Sequence, residues 1–334
     1  MIIARTPLRI PLGGGLTDLK AYAERFGGVT VSSTIGLAAH VTLLPSLDGR
    51  FEVIAEGRVE TAERLHDLRN DLAREALRSV DPAHPPVRLG VWVDIAGRSG
   101  LGTSGAITVT LLHALRAFRG ESPAADGLGA EAARIEVEVL QGASGYHDPH
   151  VCARGGLLRL DYDGPRVTAR DVAMAPAARA AFEGSLLLFA SGRQARTKPS
   201  LDLLSSHFEE AVPVLHDIRA LAIELEAALE AGDLPRVAWC IGEKQRLKEL
   251  LPGHFVDDFV RDVTARVRAT GAAPQLPGGK ISGYVLVCCP DGQHGPVRAA
   301  LADLTEVPLT LSRAGTSVIV TRSDTAQAAE AAKG

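Results

Sequence analysis

The chain has 334 residues, 46% of them hydrophobic and 23% charged, which is enough apolar material for one large core or two medium ones. Its 36 basic and 40 acidic residues leave a net charge of -4, so it lacks the basic field that gathers nucleic acid or coats an anionic membrane surface. It has no run of roughly 18 uncharged apolar residues to span a membrane, and the opening "MIIARTPLRIPLGG" lacks the hydrophobic region of a secretory leader.

In chain order, β-branched and alternating apolar residues predict strands over 1–12, 27–45, 50–56 and 87–95, and helices over 67–80, 104–118 and 129–142. After "GGLLRLDYDGPRVTARDVAM", a strand in "GSLLLFASG" precedes a helix-rich block over 200–270. Strand-like runs return over 281–289 and 308–320 with a helix, "GPVRAALADL", between them, and the alanine-rich end "DTAQAAEAAKG" reads as a frayed helix or tail. Cys152, Cys240, Cys288 and Cys289 have no Cys-x-x-Cys spacing and read as reduced core thiols, which points to a cytoplasmic protein. Strands and helices mix in both halves without the rhythm of a doubly wound sheet, so an α+β pair of lobes is expected, 1–170 and 171–334.

The most distinctive stretch is "VWVDIAGRSGLGTSGAITVTLLHAL", where a strand runs through glycines into a long apolar helix. Such a turn lets backbone N–H groups approach a ligand while the helix points its positive end at the same place, a natural seat for an anion. Gly100, Gly102 and Gly105 form a Gly-x-Gly-x-x-Gly, but a dinucleotide unit needs a second parallel strand ending in an acidic residue, and here loop and another helix follow. A Walker A loop is also absent, because Gly279-Lys280 is followed by Ile281, and no Gly-x-Ser-x-Gly elbow of a serine hydrolase occurs. Thr103 and Ser104 place hydroxyls where they can cap the helix or reach a phosphate or its metal, and Arg98 adds charge to the rim.

Two further constellations stand out. In "RTPLRIPLGGGLTDL", Gly14 and Gly15 belong to a close-approach turn followed by Thr17 and Asp18, a hydroxyl and a carboxylate that suit sugar hydroxyls; Asp18 fits equally well as a cap of the next helix. In "IEVEVLQGASGYHDPHVCARGG", Glu136 and Glu138 lead to His147-Asp148-Pro149-His150. Zinc is disfavoured because Pro149 is expected to break the helical spacing of the two imidazoles, and an acid held between glycine turns is better used to orient or deprotonate an acceptor hydroxyl.

Taken together, "PLRIPLGGGLTD", "GRSGLGTSGA" and "EVEVLQGASGYHDPH" followed by "GG" resemble the ordered motifs of the GHMP small-molecule kinases, most closely the branch of D-glycero-D-manno-heptose 7-phosphate kinases. The resemblance implies a two-lobed fold, a ribosomal S5 domain 2-like N-terminal lobe and a ferredoxin-like C-terminal lobe, with ATP and Mg2+ at their junction. It implies that Gly100, Leu101, Gly102, Thr103, Ser104, Gly105 and Ala106 wrap the phosphates, with Ser104 and Glu136 at the metal. By the same resemblance Asp148 is the catalytic acid with Arg9 beside the reacting groups, and Asp18, Thr17, Gly14, Gly15 and His147 face the sugar. Arg193, Arg196 and Lys198 in "SGRQARTK" either hold a phosphate on the sugar or form a solvated loop.

The activity implied is transfer of phosphate from ATP to the anomeric hydroxyl of a sugar or sugar phosphate by a monomer or homodimer. Alternatives on the same residues are a non-catalytic nucleotide or sugar binder and an NAD-linked oxidoreductase. Three departures bear on this. The family's last glycine-rich motif is reduced to "PGGKISGYVLV", Leu16 stands where the branch often has glycine, and His147 and Pro149 replace the usual glutamines beside the aspartate.

Overall fold

The structure, a computed structural model, describes residues 1–95, 99–142, 144–193, 198–252, 255–278 and 283–320. Arg98, Arg196, Gly279, the side chain of Lys198 and the alanine-rich terminus lie outside the described residues.

The first strand, β1 (Ile2–Gly13), leads through a glycine turn to α1 (Lys20–Phe26) and the long β2 (Gly28–Pro45). β3 (Phe51–Ala55), β4 (Arg58–Ala62), α2 (Asp71–Val80) and β5 (Val87–Val93) follow. Three helices come next, α3 (Thr103–Phe118), α4 (Ala125–Arg134) and α5 (His147–Arg154), with one π turn over Ile135–Val139 extending α4. The hairpin β6 (Leu157–Asp163) and β7 (Arg166–Asp171) is followed by α6 (Pro176–Gly184) and β8 (Leu186–Ala190). The helical block is α7 (Lys198–Ser206), α8 (Phe208–Ala231), α9 (Leu234–Glu249) and α10 (Asp258–Arg268). Then come β9 (Ala273–Gln275), β10 (Tyr284–Cys288), α11 (His294–Ala300), β11 (Thr305–Val307) and β12 (Ser317–Val320).

At 18 residues, β2 is long enough to hold three partners, and it is the spine of the first sheet. It pairs with β1 along most of its length, with β5 over Ala39–Pro45 and with β6 over Gly28–Ser33. The sheet order is β12-β1-β2-β5-β3-β4, with β6 and β7 branching from β2. The second sheet runs β11-β8-β10-β9, all antiparallel. Among the described residues only β3 and β5 pair in parallel. β5, which precedes the glycine turn, therefore has no parallel strand downstream of α3, and the dinucleotide reading of that turn fails.

One apolar core joins the two sheets: Leu8, Ile10 and Leu12 of β1 share a cluster with Leu215 and Ile218 of α8 and Leu188 and Leu286 of the second sheet. A second cluster packs Val109, Leu112 and Leu115 of α3 and Leu77 of α2 against Val41, Leu43 and Leu89. Each such side chain contributes about 1.5–3 kcal/mol, so α3 is a rigid platform and its first turn is fixed in place. All four cysteines are buried free thiols, as the sequence suggested.

Three expectations change. The strand expected over 308–320 is confined to Ser317–Val320, which pairs with β1 and so returns the end of the chain to the first sheet. It does not extend back, because the Thr316 N–H is given to the Ala153 carbonyl oxygen at 3.0 Å where the chain crosses α5. Pro149 does not break a helix: it lies in the first turn of α5, where its missing N–H costs nothing. The helix expected over 129–142 starts earlier, at Ala125, and ends in the π turn at Val139.

Candidate active site

Gly100 and Gly102 have φ of +80° and +77°, the left-handed region that glycine enters freely, and they fold the turn between β5 and α3. Ser99 staples it: its Oγ lies 2.7 Å from Thr103 Oγ1 and accepts the Leu101 N–H at 3.0 Å. The Leu101 carbonyl accepts the Arg9 N–H at 3.0 Å, while the Leu101 side chain is wholly in the core, so Leu101 anchors the loop to β1 and only its backbone is near a ligand. No side chain caps α3, and Gly102, Thr103 and Ser104 line a cavity. An uncapped helix start at a cavity wall offers N–H donors and the positive end of a dipole.

Gly105 sets the distance from this turn to the acid. A Cβ there would stand 2.9 Å from both Asp148 Cβ and Pro149 N, so its absence lets α5 press against the first turn of α3. Asp148 Oδ1 accepts from Arg9 Nε at 2.8 Å and Nη2 at 2.6 Å and lies 3.1 Å from His147 Nδ1. Arg9 Nη1 donates to Gly100 O at 2.7 Å, so one guanidinium ties the carboxylate to the glycine turn. Asp148 Oδ2 meets no donor among the described residues, and the side chain is 24% exposed. Burial works against the ionised form of Asp148, but Arg9, assisted by His147, holds the carboxyl well below the usual carboxylate range.

His147 is buried, with Nε2 2.7 Å from Ser32 Oγ. The order Ser32, His147, Asp148 has the outline of a hydrolase triad, yet Ser32 is 0% exposed within β2 and has no route to a substrate. The imidazole instead props Asp148. His150 points elsewhere with Nε2 unpartnered, and the described residues hold no group of three or more metal-ligating side chains, so the zinc reading finds no support.

Asp18 does not cap α1, whose N-cap is Leu19 without a side-chain bond. Its Oδ2 accepts the His147 backbone N–H at 3.3 Å, and Gly145 is bare because a Cβ there would lie 2.0 Å from that oxygen. Burial raises the pKa of Asp18, and it lines the cavity with Gly14 and Gly15. Thr17, grouped with Asp18 from the sequence, is a correction: it is 0% exposed and its hydroxyl bonds the carbonyl and N–H of Val29. Leu16 holds a φ of +62°, a strained conformation for a leucine.

Glu136 sits in the π turn, a distortion often found at functional sites. Ser104 Oγ donates to Glu136 Oε2 at 2.8 Å, while Oε1 is buried without a partner. Burial pushes this carboxyl up to about 7. A hydroxyl and a carboxylate with a spare oxygen form a hard-oxygen pair that fits Mg2+.

The cavity joining these groups has a volume of about 1900 Å³, well above the roughly 300–1,000 Å³ of a single-ligand pocket. One end is lined by Arg58, Arg69, Asn70 and Trp92, and the other by Gly14, Gly15, Leu16, Asp18 and Lys244. Arg58, Arg69, Trp92, Lys244 and Lys248 were not singled out from the sequence. A signal existed for the lysines, since Val237, Ile241, Lys244 and Lys248 recur at helical spacing on the buried face of α9. Arg193 is a second correction. Its Nη2 pairs with Asp257 at 3.0 Å and its guanidinium lies over the Phe259 ring, outside the cavity lining.

Residues 68–156 match the family model described as GHMP kinases N terminal domain, a span that includes the glycine turn, Glu136 and Asp148. That segment is thus similar to the N-terminal domain of the GHMP kinases. A D-glycero-alpha-D-manno-heptose 7-phosphate kinase of Campylobacter jejuni is 25% identical over 295 residues, covering 84% of this chain and 86% of that protein. A mevalonate kinase of Methanothermobacter thermautotrophicus is 33% identical over 135 residues, 40% of each chain. Along nearly the whole chain the fold matches that of solved small-molecule kinases. The crystal structure of a D-glycero-D-manno-heptose 1-phosphate kinase from Bacteroides thetaiotaomicron superposes with a TM-score of 0.81 at 22% identity, covering 97% of this chain and 100% of that one. Streptococcus pneumoniae phosphomevalonate kinase in complex with phosphomevalonate and AMPPNP gives 0.77 at 14%, covering 93% and 100%. No helix among the described residues is long and apolar enough to cross a membrane.

Proposed function

We propose that the chain is an ATP-dependent kinase that phosphorylates the anomeric hydroxyl of a sugar or sugar phosphate, of the heptose 7-phosphate class named for its Campylobacter relative. The observation that supports this reading is the Arg9 bridge between Asp148 and Gly100, which ties an acid with one oxygen free of donors among the described residues to the glycine turn in a cavity of about 1900 Å³. The lobes expected on either side of residue 170 would then close the cavity between the first sheet and α9.

In this assignment the backbone from Gly100 to Ala106 holds the nucleotide phosphates, and Trp92, Arg58 and Arg69 border the nucleoside end. Ser104 and Glu136 would hold Mg2+, which when bound neutralises charge on the phosphate oxygens. Asp18 and the Gly14–Gly15 backbone orient the sugar hydroxyls. Asp148 accepts the hydrogen bond of the attacking hydroxyl through Oδ2 and aims its lone pair in line with the γ-phosphorus. Because Asp148 is weakly basic, the proton moves late, as the new O–P bond drains the hydroxyl oxygen and the bond to the β-phosphate oxygen breaks. Arg9 steadies the negative charge at Asp148 and the turn.

The test is sugar-dependent ADP release over a panel of hexoses, heptoses and their phosphates, with Asp148→Asn alongside. The variant is expected to retain AMPPNP binding and lose turnover by at least about a hundredfold. Turnover unchanged in Asp148→Asn would remove the acid from the mechanism, and AMPPNP binding by the wild type without release of ADP for any sugar would make the chain a binding protein.

A further inference from the structure

Among the described residues, two buried amines in the cavity wall hydrogen-bond to no carboxylate. Lys244 and Lys248 lie one turn apart on α9 and are only 8% and 7% exposed. Lys244 Nζ reaches Pro11 O and Leu12 O at 3.4 Å and Gln275 Oε1 at 3.5 Å, all at the outer limit of an N–H···O bond. Lys248 Nζ donates to Leu276 O at 2.8 Å and to Gly278 O. A buried ammonium without a counter-ion is costly, so such a group either sheds its proton or awaits an anion.

The surroundings favour an amine that is neutral at rest and takes up a proton when an anion arrives. The charged groups that face Lys244 are Lys248 on α9, Arg9 on β1 and Asp18 in the turn after β1, and Arg9 is already committed to Asp148. Burial, then Lys248 and Arg9, hold the Lys244 amine well below its ordinary range, with Asp18 opposing; burial, with Glu249 opposing, takes Lys248 to about 8. Lys244 contacts the end of β1 that feeds Gly14, Gly15 and Asp18, so it belongs to the acceptor end of the cavity. Lys248 reaches toward Gly278, whose N lies 3.4 Å from the Cβ position of Gly100. Arg193, the described arginine of the loop that would otherwise bind an acceptor phosphate, is taken by Asp257.

We propose that Lys244, assisted by Lys248, forms an anion subsite that reads a phosphate monoester carried by the acceptor. This rests on the kinase assignment above and adds the residues that select the acceptor. Phosphate arriving there would protonate Lys244 and replace its three long contacts with charge-assisted hydrogen bonds.

The test is calorimetric binding to the full chain, with no turnover required, of D-glycero-D-manno-heptose 7-phosphate, the unphosphorylated heptose, inorganic phosphate and AMPPNP with Mg2+. The variants are Lys244→Met, which matches length without charge, and Lys244→Gln, which retains donors should the first fail to fold. Both are expected to weaken the heptose phosphate and inorganic phosphate by roughly 10- to 100-fold and to leave AMPPNP and the plain heptose within about twofold. Proton uptake on phosphate binding, measured in two buffers of different ionisation enthalpy, is expected in the wild type and lost in both variants. Equal losses for both heptoses would reduce the lysine to packing, and a selective loss for AMPPNP would hand it to the nucleotide. Unchanged binding of both phosphates in a chain that still phosphorylates the heptose would overturn the subsite and leave the kinase assignment standing. Loss of inorganic phosphate binding in a chain with no kinase activity would support the subsite alone.

Discussion

Gly105 and Gly127 offer a matched pair of substitutions whose effects should have opposite signs. Each is the third residue of its helix, α3 and α4 respectively. Helix propensity alone would make alanine better at both, by up to about 1 kcal/mol. At Gly127 a new Cβ meets nothing within 4 Å, so Gly127→Ala should stabilise by a few tenths to about 1 kcal/mol. At Gly105 it would stand 2.9 Å from Asp148 Cβ and Pro149 N and 3.1 Å from Asp148 C, and two of those three are backbone atoms that cannot swing aside. To reach the 3.4 Å where ordinary contact begins, α5 must retreat by about half an ångström. Overpacking of this kind costs about 1–3 kcal/mol, which exceeds the propensity gain. The same retreat carries Asp148 from the glycine turn, and a displacement of that order at reacting groups lowers turnover by roughly tenfold or more. Scanning calorimetry and steady-state ADP release on the two variants check this. A Gly105→Ala protein as stable and as fast as Gly127→Ala would refute the claim that this contact sets the geometry of the site.

Three more outcomes are expected. Removing the guanidinium in Arg9→Met leaves burial to govern Asp148, so its pKa should rise and an acid limb should enter the pH–rate profile of kcat/KM above about pH 4, where the wild type has none from this group. Ser104→Ala should raise the Mg2+ concentration needed for half-maximal rate by about tenfold while the melting temperature stays within a degree or two, as expected for loss of one hydroxyl at an exposed helix start. Burial depresses His150 from 6.5 to about 4, so the folded chain refuses a proton that the unfolded chain accepts; its stability contribution is full above about pH 6.5 and falls away as pH drops toward 4. Buried Glu136 contributes with the opposite sign over the same window, so the check is the difference: from pH 7 to 4 in urea unfolding the wild type should lose on the order of 3 kcal/mol more than His150→Gln.

The elements that position the site were legible in the sequence where local chemistry dictates them. Alternation gave β1, β2 and β5, and the bare turn before a long apolar run gave α3. The resemblance supplied the roles proposed for Glu136, Asp148 and Arg9, and the fold brings those three side chains to one cavity. What stayed hidden depends on neighbours distant in the chain. β4 is a mostly exposed edge strand, "RVETA", with no apolar stripe to announce it. The π turn that carries Glu136 to Ser104 packs beside α2, and nothing in "IEVEV" encodes it. Arg193 and Asp257 are 64 residues apart, so spacing could not show that the arginine is already paired. Helical spacing puts Lys244 and Lys248 on the apolar face of α9, but only its packing against β1 and β9 shows what they meet.

The last strand has a consequence for how the protein is made. β12 covers the outer edge of β1, and just before it Thr316 donates its N–H to Ala153 O at 3.0 Å at the end of the helix that bears Asp148. A nascent chain emerging from the ribosome therefore holds every proposed reacting group long before the clasp that secures them has been translated. Until then the edge of β1 is bare and open to pairing with another chain. A protein clipped near residue 310 should accumulate as an inactive, self-associating product even though the residues of the Gly100 turn, Glu136 and Asp148 are all present.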